Sequence, residues 1–135
     1  MSEQPKLLEL RVAVTVENLD EIVAFYRDTF GLEKVFDWNN PDGRGVVLKI
    51  DHATLELVDS AQAETIDRVE AGKRVSGKVR FAIGVESVSQ TAQALIERGA
   101  TSVNEPVLTP WGDYNQRVQS PDGMQITLFE EKPSE

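Results

Sequence analysis

The chain has 135 residues, 40% of them hydrophobic, with a formal net charge of −9 and a pI near 4.6. This fits one compact domain, or two small halves sharing a core, and it excludes a disordered chain. The acid excess argues against nucleic acid, and the lack of cysteine excludes disulfides, zinc–thiolate centres and thiol nucleophiles. No run is apolar enough to cross a membrane and the start carries no signal-peptide pattern, so a cytoplasmic location is expected. The acidity serves solubility; an acidic groove for cationic ligands would need a clustering that sequence alone does not reveal.

Residues 1–7 read as a loose leader. Strand period places Leu10, Val12, Val14 and Val16 on one face of a first strand, with Arg11, Ala13 and Thr15 on the other. A helix is predicted over 19–30, with Leu19, Ile22, Val23, Tyr26 and Phe30 at helical spacing. Asn18 with Glu21 forms a capping pattern at its start, and Gly31 suits the left-handed stop. Strands follow at 32–38, 46–50 and 54–58, divided by the Asn39-Asn40-Pro41-Asp42-Gly43 turn and by Asp51-His52-Ala53. On the last of these, Thr54, Glu56 and Val58 share a face. Residues 60–77 read as a short helix and linker.

The second half repeats the first. At one constant offset Arg11 aligns with Arg80, Val12 with Phe81, Ala13 with Ala82 and Val14 with Ile83. A helix over 88–98 is capped by Ser87 with Gln90 and stopped at Gly99. A strand at 101–104, a long loop at 105–114 and strands at 115–119 and 124–129 complete the pattern. Gln125, Thr127 and Phe129 share one face of the last strand. The fold class is α+β: two βαβββ modules, at 8–59 and 78–131, building curved mixed sheets around a cleft, with a tail at 132–135 expected to fray.

The βαβββ repeat, the stretch LDEIVAFYRDTFGLEKV and the ending SPDGMQITLFE resemble the vicinal oxygen chelate superfamily. That group includes glyoxalase I, extradiol dioxygenases, and bleomycin- and fosfomycin-resistance proteins. The resemblance implies a glyoxalase/bleomycin-resistance-like fold and a homodimer. It also implies a small organic ligand in a cleft, with the modules pairing within or between chains. In metal-dependent relatives the ligands sit at positions that correspond here to Arg11, Glu56, Arg80 and Thr127. Arginine stays protonated and cannot coordinate a divalent ion, so no metal and no other cofactor is expected.

Two readings of these residues stand side by side. Arg11, Glu56 and Arg80 form an internal charge network, or the arginines grip an anionic ligand. Trp38, Trp111, Tyr114 and Phe129 are candidate cleft walls, each with an ordinary core role as the alternative. Arg117 lines the cleft if its strand's parity allows. His52, the single histidine, has no partner nearby in sequence and reads as a solvated turn residue. The function expected is metal-free binding or sequestration of a drug or metabolite. The alternative is a lyase or isomerase with Glu56 as catalytic acid or base.

Overall fold

The computed structural model describes residues 5–51 and 53–131; His52 and the tail expectation for 132–135 lie outside them. The elements, in order, are β1 (Leu7–Thr15), α1 (Leu19–Phe30), β2 (Glu33–Asn40), β3 (Gly43–Ile50), β4 (Ala53–Val58), α2 (Ser60–Ala71), β5 (Val79–Val85), α3 (Val88–Glu97), β6 (Thr101–Ser102), β7 (Val107–Leu108), β8 (Asp113–Gln119) and β9 (Gln125–Glu131). The strands form one curved open sheet in the order β2-β3-β4-β1-β5-β9-β8-β6, with β7 added beside β8. β1 and β5 are the seam: they pair antiparallel, with Ala13 opposite Arg80 and Arg11 opposite Ala82. Each then pairs parallel with the last strand of its own half, β4 or β9.

Alternation divides the side chains between two faces. On the outer face α1 covers Val16, Val46, Leu48 and Leu57, while α3 covers Val85, Val118 and Leu128. These twin cores are the physical expression of the repeat. Leu10 shares the parity of Val14 and Val16 but takes no part in the α1 core and is 44% exposed. On the inner face α2 packs against both β3 and β8, so the segment between the repeats spans the two halves. Its small core joins Ala63 and Ile66 to Val58 and Trp38.

Local details differ from the sequence expectation in several places, among them strand ends: the strand expected at 46–50 starts at Gly43 and that expected at 101–104 is Thr101–Ser102. Ser87 caps α3 by accepting from the Gln90 N–H, but Asn18 makes no side-chain cap to α1. Gly31 takes the left-handed position and donates to Arg27 O, whereas α3 ends at Glu97 with Arg98 as its cap, and Gly99 follows at φ 113°. The loop expected at 105–114 contains β7, and β8 starts at Asp113 rather than 115. Among the described residues no helix is long and apolar enough to cross a membrane.

Candidate functional site

The inner faces of both halves and of α2 enclose a cleft of about 470 Å³, within the range typical of small-molecule sites. Arg11, Glu56, Arg80, Thr127, Trp38, Trp111 and Phe129 all line it. Tyr114 does not: it faces outward and packs against the α3 core. Starting β8 at Asp113 puts Asp113, Asn115 and Arg117 on the inner face and turns Tyr114 away. Arg117 is fully buried behind the cleft wall rather than lining it.

The charged groups run as one continuous chain of alternating sign. Arg11 Nη2 meets Glu9 Oε2 at 3.0 Å, and its Nη1 lies 3.7 Å from Glu56 Oε2. Arg80 Nη2 donates to Glu56 Oε1 at 3.2 Å and its Nη1 to Thr127 Oγ1 at 3.0 Å. Thr127 in turn donates to Glu70 Oε1, which also accepts from Arg117 Nη2 at 3.0 Å. Arg117 Nη1 is 2.9 Å from Asp67 Oδ1. Burial of so many charges is tolerable because each guanidinium has a carboxylate and each carboxylate has further donors. The internal network is therefore present, and both cleft arginines are engaged by it.

Asp67 illustrates how strongly the network holds its anions. Burial pushes its carboxyl up, but the Ser76 backbone and side-chain donors, the Val75 N–H and Arg117 overcome this and hold it well below the usual aspartate range. Asp113 is the opposite case. Burial raises its proton affinity, Glu131 beside it adds to that, Arg11 opposes it, and Glu70 again raises it.

The aromatic walls are held in different ways. Trp38 donates from Nε1 to Gln62 Oε1 at 3.0 Å and lies over Gly45 so closely that a Cβ there would fall 2.1 Å from the ring. Phe129 carries the Arg11 guanidinium 5.1 Å from its ring centre, a cation–π contact. Trp111 is 45% exposed at the cleft.

Sequence reasoning missed the contribution of α2. Gln62, Ile66 and Glu70 fall on one helical stripe and all line the cleft. Asp59 followed three residues later by Gln62 was the available signal, a capping pattern realised by Asp59 Oδ1 accepting the Gln62 N–H at 2.8 Å. At the four positions that bind metal in the relatives resembled, guanidinium groups sit against the single carboxylate, and this donor set does not fit a divalent ion.

Among curated protein sequences none matches significantly. Solved structures share the fold. A hypothetical protein from Bacillus halodurans C-125 is 22% identical, with a TM-score of 0.68 over 98% of this chain and 99% of that one. Methylmalonyl-CoA epimerase from Mycobacterium tuberculosis is 20% identical, with a TM-score of 0.66 over 98% and 93%. A variant of the Streptomyces coelicolor epimerase, in complex with 2-nitronate-propionyl-CoA, is 21% identical, with a TM-score of 0.69 over 98% and 99%. The sequence profile of one family matches residues 10–128, which is nearly the whole described structure. With its twin modules joined at β1 and β5, this chain belongs to the Glyoxalase/Bleomycin resistance protein/Dioxygenase superfamily.

Proposed function

We propose that this protein binds a small organic molecule in the inner cleft without a metal, and holds it without chemical change. The observation that carries the reading is the Arg11–Glu56–Arg80 network. It puts fixed, mutually neutralised charge where a metal would need free donors, and it leaves the aromatic walls open to a ligand. A concave site of this volume with aromatic sides and a few polar anchors suits binding by burial. A fragment screen by amide-resolved NMR, run with a chelator present, tests it. Saturable shifts confined to cleft residues, with ligand recovered unchanged, are expected. Shifts that need added divalent ion, or ligand converted to product, would refute it.

The second reading is an isomerase or lyase, the class to which the epimerases of like fold belong. Glu56 is its candidate base, but both Glu56 oxygens face guanidinium groups, so the binding reading is preferred. Loss of any turnover on Glu56→Gln would favour the enzyme.

A further inference from the structure

Asn115 lines the cleft wall and is only 4% exposed, yet its Oδ1 has no hydrogen-bond partner. The amide cannot be turned to relieve this. Its Nδ2 donates to Glu70 Oε2 at 2.9 Å, and Glu70 is an anion that accepts from Arg117 and Thr127 as well. A carboxylate only accepts, so the NH2 must face Glu70 and the oxygen must stay on the other side. An unsatisfied buried acceptor at a cleft wall is costly until a donor arrives.

The charges that line the same cleft decide which donor. Asp113 precedes Asn115 on the same face of β8, and Glu131 is the cross-strand partner of Asp113. Among the described residues neither carboxylate forms an ion pair. The cation that reaches toward Asp113 is Arg11, which is already bound to Glu9 and faces Glu56. Counting the lining, Arg11 and Arg80 face Glu56, Glu70, Asp113 and Glu131, so the cleft has carboxylate in excess once the arginines are paired. Trp111 lines the same cleft, and its exposed ring offers an apolar surface for the rest of the ligand.

We propose that the cleft selects ligands bearing a protonated nitrogen, which is drawn by the carboxylates of Asp113 and Glu131 and donates to Asn115 Oδ1 as that side chain shifts to expose it, while an apolar body rests against Trp111. This rests on the binding reading above and names its ligand class as an organic cation rather than an anion.

Three probes of matched shape test it: phenethylamine, phenethyl alcohol and hydrocinnamate, a cation, a neutral molecule and an anion at neutral pH. Each is titrated into the full chain by amide-resolved NMR. The amine is expected to bind about tenfold tighter than the alcohol, and the anion weakest. Asp113→Asn/Glu131→Gln removes the preference for the amine, while Asn115→Leu weakens amine and alcohol alike. Should the double variant fail to fold, salt serves on the native chain: rising ionic strength weakens the amine and leaves the alcohol unchanged. Equal binding of amine and alcohol, or preference for the anion, overturns the cation assignment and leaves the binding reading standing. If none of the three shifts the cleft, while the fragment screen finds ligands there, the assignment alone falls; if the screen is silent too, both fall.

Discussion

Glu70 and Arg117 meet at 3.0 Å with neither more than 2% exposed, and they come from segments that sequence separates by most of the second repeat. Glu70 is on the helix between the modules and Arg117 on β8, so this pair fixes α2 across the cleft floor. Removing Glu70 takes one of two carboxylates from the buried Arg117 guanidinium and leaves it Asp67. Glu70→Leu is expected to lower unfolding free energy by about 3–5 kcal/mol, read from urea denaturation. The double variant Glu70→Leu/Arg117→Met should lose less than the two single losses combined, because both members of the pair leave together. Additive losses would mean that the pair is not coupled.

Asp67 makes stability depend on acid. Its folded-state proton affinity is depressed below the ordinary value of 3.8. The stabilisation is therefore full above that value and is lost as pH falls below it toward the folded-state pKa. In a pH series of urea midpoints, Asp67→Asn should be destabilised near neutrality. It should approach the native chain as the solution becomes more acidic than about pH 4. A constant difference across the series would contradict the linkage.

Asp113 has the opposite shift, raised above 3.8 by burial and by Glu131. An organic cation bound there needs the carboxylate ionised. Affinity for phenethylamine should be full above the raised pKa and decline as pH falls through it, while affinity for phenethyl alcohol stays level. Arg11, Glu70 and Glu131 face the same group, so the decline should move to lower pH in Glu131→Gln, where the like charge is gone.

Gly45 is required by packing alone. A methyl group there would fall on the Trp38 ring, so Gly45→Ala must push the indole off its seat and break its bond to Gln62. Overpacking of this kind costs about 1–3 kcal/mol. Thermal unfolding and a red-shifted tryptophan emission should report it together; an unchanged spectrum would contradict the geometry.

Histidine at both arginine positions should create a metal site. Arg11→His/Arg80→His would set two imidazoles beside Glu56 on adjoining strands, the donor number of a catalytic zinc site. Equilibrium dialysis should find zinc retained by the double variant and not by the native chain. Equal uptake by both would mean that the native cleft already holds metal.

Much of this site was legible because strand parity is rigid. Arg11, Glu56, Arg80 and Thr127 each sit on a well-marked alternating strand, so once the family resemblance pointed to those positions, alternation fixed the face each one takes. Tyr114 failed for the same reason: placing the start of β8 after it left its parity open, and the structure gives the inner face to Asp113 and Asn115. The role of α2 was hidden because Gln62 and Glu70 look like solvated helix positions; their burial depends on β3 and β8, far away in sequence. The missing Asn18 cap shows the same limit on a smaller scale, since the pattern was present and the backbone, at φ −110°, did not take it up.

The most direct test of the metal-independent cleft is calorimetric titration of the tightest fragment into the native chain and into Trp111→Ala, with and without chelator. The account predicts saturable one-to-one binding that ignores the chelator, weakens in Trp111→Ala and returns the ligand intact. Binding abolished by the chelator and restored by a divalent ion would contradict it.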